Sequence, residues 1–212
     1  MNIDLDAVEI RVLGCLMEKE LATPEYYPLS LNALLNACNQ KTNRTPVMQL
    51  DEDTMSAALR SLKERRYVYQ SDAGRVPKYW QAFAKDHDLG SRESAVLGVL
   101  LLRGAQTAGE LRLRADSLCP FDSLEQAAAT LDHLIELGLA AQLPRQPGQK
   151  EQRAVHLLAA PADGPEPEIA QPVRIAPTPA EERLAALEQT VAALREELAA
   201  VKSELQALRA SE

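Results

Sequence analysis

A five-residue segment occurs twice in this chain of 212 residues, and the two copies restrict the fold more than any other feature. Val12-Leu-Gly-Cys-Leu16 returns as Val96-Leu-Gly-Val-Leu100. A second match, between Leu59-x-x-Leu62 and Leu131-x-x-Leu134, keeps the same order but a shorter interval. The sequence therefore predicts two copies of one folding unit, of which the first is the longer.

The first copy has the pattern of three helices followed by a β-hairpin. Apolar residues recur at helical spacing before Thr23, where the first helix should end because a proline follows. Ser30 and Asp51 are suited to cap a second and a third helix. Two β-prone stretches, Tyr67–Ser71 and Lys78–Phe83, flank a glycine-containing turn and predict a hairpin.

The second copy repeats this order of elements. Helices are predicted at Ser91–Arg103, from the cap Thr107 to Ala115, and from Asp122 or Ser123 to Gly138. Strands are predicted at Ala140–Leu143 and Arg153–Leu158. Three helices and a hairpin form a winged helix-turn-helix. We therefore predict a mainly helical α+β fold with two tandem winged helix-turn-helix domains, residues 1–86 and 87–159.

The remaining residues predict a linker and a coiled-coil helix. Residues 160–177 are rich in proline and lack hydrophobic periodicity, which is typical of an extended linker. In residues 178–212, Leu and Val occupy successive a and d heptad positions, which is the pattern of a coiled-coil seam. The predicted dimerisation residues are Leu184, Leu187, Val191, Leu194, Leu198, Val201, Leu205 and Leu208.

Charges beside this seam favour a parallel homodimer. In a parallel pair, Arg183 faces Glu188, Glu197 faces Lys202 and Glu204 faces Arg209, and each pair is attractive. An antiparallel pair sets like charges against each other. The alternative is that this amphipathic helix folds back on its own domains or packs on another protein.

Several longer strings resemble a known family. They are Thr23-Pro-Glu-Tyr-Tyr-Pro-Leu-Ser-Leu-Asn-Ala-Leu34, Ala37-Cys-Asn-Gln-Lys41, Asn43-Arg44, Leu101-Leu-Arg-Gly-Ala-Gln-Thr-Ala-Gly-Glu-Leu-Arg112 and Leu143-Pro-Arg-Gln-Pro-Gly-Gln149. Over about residues 3–159 the chain resembles the YceH-like bacterial proteins of unknown function. The resemblance implies two winged-helix units. It implies no activity and no catalytic residues, and it does not cover the linker or the final helix.

The net charge of −8 excludes a uniformly basic nucleic-acid binder but hides a basic patch. Acidic residues are concentrated after residue 160, whereas residues 58–78 are strongly basic. In a winged helix, the third helix enters the major groove and basic side chains contact phosphates. The predicted DNA-binding residues are Ser56, Arg60, Lys63, Arg65, Arg66, Arg75 and Lys78, with Lys41 and Arg44 in the loop before the third helix as a second candidate set. That loop is equally well explained as a solvated turn.

Other residues argue against DNA and leave an adaptor as the alternative function. The third helix of the first copy begins with Asp51-Glu52-Asp53, where phosphates would be repelled. The third helix of the second copy contains no Lys or Arg, so this domain is expected to contact a protein partner. Five aromatic residues lie in the first hairpin, and most of them are expected to fill its buried face rather than contact nucleic acid.

No catalytic motif is present, so we expect a non-enzymatic protein with no cofactor and no metal. His87, His133 and His156 are isolated in the sequence. Cys15 and Cys38 lie on apolar helix faces, where core packing is the expected role. The N-terminus does not resemble a signal peptide, and no segment is long and apolar enough to span a membrane, which predicts a cytoplasmic protein without membrane partners.

Overall fold

Each half of the described chain folds as three main helices and a hairpin. The computed structural model describes residues 3–145 and 151–159. The helices of the first half are α1 (Ala7–Ala22), α2 (Leu31–Cys38), α3 (Glu52–Glu64) and a short α4 (Phe83–Asp86). Its strands are β1 (Leu29–Ser30), β2 (Val68–Ser71) and β3 (Lys78–Gln81). A single 3-10 turn, Pro24–Tyr26, follows α1.

The second half repeats the order with shorter strands. It contains α5 (Ser91–Arg103), α6 (Ala108–Ala115), α7 (Leu124–Glu136), β4 (Ala140–Gln142) and β5 (Ala154–His156). The protein is thus an α+β protein with small antiparallel sheets. The predicted linker and coiled-coil helix, residues 160–212, lie outside the described residues.

The capping residues named from the sequence form the expected hydrogen bonds. Ser30 Oγ accepts from Ala33 N at 3.3 Å, and Asp51 Oδ1 accepts from Thr54 N at 2.8 Å. Thr107 caps α6, and Ser123 rather than Asp122 caps α7. These bonds satisfy backbone N–H groups that have no partner inside a helix, which is why the helices begin at these residues.

The first sheet contains a strand that the sequence did not predict. β1 pairs with β3, and β3 pairs with β2, so the order is β1-β3-β2 with all pairs antiparallel. The second half has a single bridge at the corresponding place, between Gln106 and Ala154, just before α6. The repeat therefore extends to the way in which each hairpin is attached to its second helix.

The predicted strand Lys78–Phe83 is shorter than expected. β3 ends at Gln81, and Phe83 begins α4. Gln81 Oε1 accepts from Ala84 N at 2.9 Å, which holds the first turn of this helix. Phe83 is fully buried and its ring meets that of Tyr67 edge-on, with centroids 5.0 Å apart. Burial of this ring in the core explains why the chain leaves the sheet.

Helices α1 and α5, the first helices of the two halves, form the largest helix–helix contact in the described residues. Nine consecutive residues are buried in each helix, Glu9–Met17 and Ser94–Leu102. A helix buried on all sides packs against neighbours in every direction. Each of these helices contacts the other helices of its own half and also its counterpart, so the two halves share one continuous core.

The glycines of the repeated segment lie at this contact. A Cβ atom on Gly14 would come within 3.0 Å of Leu101 Cβ and of the Leu102 side chain. A Cβ atom on Gly98 would lie 3.6 Å from Met17 Cβ, an ordinary contact distance. The missing side chain at Gly14 therefore allows the close approach of α5, whereas Gly98 has room for a methyl group.

None of the helices in the described part of the chain is both long and apolar enough to cross a lipid bilayer.

The two glycines should respond differently to alanine. In Gly98→Ala, higher helix propensity should raise the free energy of unfolding by about 0.5–1 kcal/mol. In Gly14→Ala, the same gain is opposed by overpacking against Leu101, so we expect a net loss of about 1 kcal/mol. Urea unfolding followed by far-UV circular dichroism measures both. Equal shifts in the two variants would contradict the close approach at Gly14.

Candidate nucleic-acid interface

Helix α3 has one buried and one exposed face. Met55, Ala58, Leu59 and Leu62 pack into the core. Ser56, Arg60 and Lys63 are exposed on the other side of the helix. Because this helix is amphipathic, burial of its apolar face directs these three side chains to solvent. The structure therefore places them where the sequence predicted.

The chain turns sharply from α3 into the hairpin through two arginines. Arg65 ends the helix, and Arg66 has a positive φ of 63°. The turn is closed by Tyr67 N, which donates to Leu62 O at 2.9 Å. Both arginine side chains are exposed at the C-terminal end of α3. This end of the helix dipole is negative, so cations are favourable there.

A hydrogen bond joins the basic face of α3 to the hairpin. Lys63 Nζ donates to Gln70 Oε1 at 2.7 Å, and Gln70 Nε2 donates to Asp72 Oδ1 at 2.7 Å. Arg75 lies in the hairpin turn and Lys78 begins β3, and both are exposed. The helix and the hairpin thus both carry exposed basic side chains, and Lys63 forms a hydrogen bond between the two elements.

We call this set the basic surface; it comprises Ser56, Arg60, Lys63, Arg65, Arg66, Arg75 and Lys78. Within residues 3–145 and 151–159, none of its six basic side chains forms an ion pair. Their positive charge is therefore available to an anionic partner such as a phosphate.

The first turn of α3 carries three acidic side chains that are exposed to solvent. Asp51, Glu52 and Asp53 are exposed. Hydrogen bonds from Thr54 hold the pKa of Asp51 below its usual range. The carboxylate is therefore ionised at neutral pH and repels phosphates at the start of the helix. Anion contact is favoured at the middle and C-terminal end of α3.

The structure places the two residues of the second predicted set, Lys41 and Arg44, in different environments. Lys41 is exposed in the loop between α2 and α3. Arg44 is only 4% exposed, and its guanidinium forms a two-point ion pair with Glu18 at 2.7 and 3.1 Å. It also donates to Ala37 O at 3.1 Å and to Gln40 Oε1 at 2.9 Å. This geometry does not suit phosphate contact.

Arg44 has a structural function that sequence reasoning missed. Its bonds connect the loop to α1 and to the end of α2, and Thr45 N donates to Leu102 O at 2.8 Å. The ion pair with Glu18 raises the pKa of Arg44 against the opposing effect of burial. Because Glu18 lies 26 positions away on another element, no local pattern marks the two residues as partners.

The hairpin aromatics divide between its two faces. Phe83 is buried, and Tyr67 and Tyr79 pack against the core, in line with the prediction that most would be internal. Tyr69 and Trp80 lie directly across from each other in the sheet and stack on the outer face, with ring centroids 6.0 Å apart. The basic surface does not include this pair.

The corresponding surface of the second half is acidic. Helix α7 buries Ala127, Thr130, Leu131 and Leu134. Its exposed side chains include Glu125, Asp132 and Glu136, and it contains no Lys or Arg. Hydrogen bonding at the helix start lowers the pKa of Glu125, so that carboxylate is ionised at neutral pH. Phosphate contact is unfavourable on this helix.

Two of the cysteines lie together in the core of the first half. Cys15 and Cys38 are buried, and a hydrogen bond with Cys15 together with burial raises the pKa of Cys38. The thiol of Cys38 is therefore neutral and a poor nucleophile. Residues 3–145 and 151–159 bring together no group of three or more His, Cys, Asp or Glu side chains suited to a metal ion.

The described residues define a class of protein: an α+β protein whose two similar halves share one core and differ in surface charge. A family model described as "Protein of unknown function, DUF480" matches residues 5–149. This match covers more than half of the chain, so the protein belongs to the DUF480 family. The finding agrees with the resemblance to YceH-like proteins.

Bacterial relatives known as UPF0502 proteins support the same assignment. One from Solibacter usitatus is 50% identical over 190 residues, covering 89% of this chain and 92% of its own. One from Geobacter sulfurreducens is 48% identical over 199 residues and covers 89% of each chain. One from Ectopseudomonas mendocina is 45% identical over 186 residues. Because residues 1–159 are only three-quarters of the chain, the 89% coverage means that this similarity continues beyond residue 159.

Breaking the buried ion pair should destabilise the protein. Arg44→Met removes the two-point partner of the mostly buried Glu18 carboxylate and leaves it only Lys19, at 3.3 Å, which should cost about 2 kcal/mol of unfolding free energy. The control, Lys41→Met, removes a charge from the same loop at an exposed position and should change stability by less than about 0.5 kcal/mol. Urea unfolding at neutral pH measures both, and similar midpoints for the two variants would contradict the structural function of Arg44.

Proposed function

We propose that this protein binds DNA through its first half, as a tandem winged-helix protein acting in transcriptional regulation. The order of three helices and a hairpin in each half supports the winged-helix assignment. The pairing of β1 with the second hairpin strand adds a further element in keeping with that architecture. In such proteins the third helix enters the major groove and the hairpin lies along the backbone.

The observation that carries this proposal is the basic surface. Its six cationic side chains are exposed and form no ion pairs among the described residues. Because Lys63 reaches Gln70, the third helix and the hairpin are adjacent, so one ligand can contact both. A run of unpaired cations on a chain of net charge −8 is suited to phosphates.

Within this proposal the residues have different roles. Arg60, Lys63, Arg65, Arg66, Arg75 and Lys78 contact mainly phosphates, and Lys41 on the preceding loop is a further phosphate contact. Ser56 lies one turn before Arg60 on the exposed face of α3, so it is the residue nearest to the bases. The acidic residues at the start of α3 oppose the approach of that turn to DNA. This favours binding dominated by contacts to the DNA backbone.

Salt dependence separates phosphate contact from other modes of binding. For Arg60→Ala/Lys63→Ala in the full chain, we expect the slope of log K against log salt to fall by about 2, since each phosphate contact releases about 0.9 counterion. Fluorescence anisotropy with a labelled duplex pool measures K from low to moderate salt.

The control for this experiment is Lys85→Ala/Arg92→Ala, which removes two exposed positive charges outside the basic surface. Its slope should match that of the unchanged protein. DNA binding with the same slope in both double variants would exclude the basic surface, and a lack of salt-dependent binding by the unchanged protein would reject the DNA function itself.

The second candidate function is a protein-binding adaptor, and α7 favours it. Leu124 at the start of this helix and Leu137 just after its end are exposed near its carboxylates. Exposed leucines next to acidic residues are suited to a partner with an apolar and basic surface. If the unchanged protein binds no DNA at low salt, the adaptor becomes the favoured function. The two functions are also compatible, because they use different halves of the chain.

We further propose a parallel homodimer formed by residues 178–212. The support is the heptad pattern of the sequence, since these residues lie outside the described part of the chain. Leu198→Asp places a charge at an a position of the seam, and Ala200→Asp places the same charge two residues later, outside it.

Light scattering coupled to size exclusion should give a dimer mass for the unchanged chain and for Ala200→Asp. Leu198→Asp should have the mass of a monomer at the same concentration, because a buried, unpaired carboxylate opposes the seam. A monomeric unchanged chain, or a dimer that persists in a chain ending at residue 177, would reject this role of the helix.

A further inference from the structure

A groove of about 1090 Å³ lies beside the first hairpin. It is bounded by the hairpin, the end of α1, α4 and the start of α5. Tyr69 and Trp80 belong to its wall, and Leu21 and Leu89 provide further apolar lining. Tyr69 follows Val68 and precedes Gln70, so its side chain is on the opposite face of the sheet from the Gln70 side chain that Lys63 contacts. The groove thus lies on the face opposite Gln70, although Lys78 of the basic surface is on the same face of the sheet as Trp80.

The aromatic wall offers flat surfaces to a ligand. Tyr69 and Trp80 stack with an interplanar angle of 27° and ring centroids 6.0 Å apart. Tyr69 is 43% exposed. Two fixed rings that are partly exposed to solvent are suited to stack on another flat ring.

The charged side chains of the groove are mostly acidic. Glu20, Asp86 and Asp88 line it in the described part of the chain, against one cation, Lys85. The carboxylate of Glu20 accepts a hydrogen bond from Gln81 Nε2, which fixes its orientation beside the aromatic wall. Gln81 is itself held by Ala84 N. The excess of carboxylates repels phosphates and attracts cations.

The carboxylates beside the exposed aromatic rings indicate which of two ligands, a nucleic-acid base or an organic cation, these rings are suited to bind. Stacking on nucleic-acid bases requires cations nearby to neutralise the backbone. Carboxylates beside aromatic faces instead favour a positively charged ligand, because a cation is attracted both by the ring faces and by the acids. The charged residues that line the groove therefore favour a cation over a nucleic acid.

We propose that this groove binds a flat organic cation, with its ring stacked on Trp80 and Tyr69 and its positive charge facing Glu20, Asp86 and Asp88. This ligand site is distinct from the proposed DNA contact of α3, although Lys78 of the basic surface lies on the same face of the hairpin as Trp80.

A matched pair of probes tests the contribution of charge. N-methylacridinium is a flat cation, and 9-methylacridine is of similar shape but neutral at pH 8. Isothermal titration calorimetry of the full chain should give saturable binding of one cation per chain and an affinity for the neutral probe about tenfold lower. Trp80 is the only tryptophan in the sequence, so quenching of its emission over the same concentrations locates the ligand.

Variants of the groove test which of its side chains bind the cation. Asp86→Asn/Asp88→Asn should weaken cation binding about fivefold and leave the neutral probe unaffected. Asn is tolerated at position 88, where φ is 52°. Asp132→Asn/Glu136→Gln makes the same change in net charge on α7 and should have no effect on the binding of either probe. Trp80→Leu should weaken the binding of both probes. Circular dichroism should show that the fold of this variant is unchanged.

Three results would overturn the proposal. The first is a lack of saturable binding of the cation by the unchanged protein. The second is equal affinity for the charged and the neutral probe. The third is an equal effect of the groove and α7 charge variants. None of them depends on Arg60 or Lys63, the residues changed in the DNA test, so the DNA function and this ligand site can fail separately.

Discussion

The close approach of α1 and α5 at Gly14 is the contact on which the rest of the structure depends. A methyl group on Gly14 would meet Leu101 and Leu102 at 3.0 Å, so the missing side chain sets how near the two helices lie. Each helix is then buried on all sides over nine residues. Neither half has a core of its own that is separate from this contact, because the buried residues of both halves form one cluster.

Because α1 is buried, the charged side chains on it need hydrogen-bond or ion-pair partners inside the protein. Arg11 is 1% exposed, and its guanidinium donates to Cys38 O at 3.1 Å and to Pro46 O at 2.5 Å. Arg44, in the loop between α2 and α3, pairs with Glu18 of α1. Buried charges are tolerated when they are paired or hydrogen-bonded. These two arginines therefore hold the loop between α2 and α3 against the core, which orients the start of α3 and its basic face.

The two halves share an order of elements but have different surfaces. Helix α3 exposes cations at its middle and end, whereas α7 exposes carboxylates and leucines. The first hairpin also differs between its faces. One face meets α3 through Gln70, and the other carries the Tyr69–Trp80 stack beside carboxylates. A shared core permits such divergence, since exposed side chains change with little effect on stability.

The sequence alone determined the order of elements, the helix caps and the exposed basic residues of α3. These follow from local rules: a cap such as Ser30 acts on backbone three residues away, and helical periodicity separates Arg60 from Leu59. Only the tertiary structure decided that the repeated segments meet, that Arg44 faces Glu18 rather than solvent, and that Leu29–Ser30 joins the sheet. Each of these depends on residues far apart in the chain, and no local pattern specifies such pairs. The same reason explains why the groove around Trp80 could not be predicted, because its wall is assembled from four separate elements.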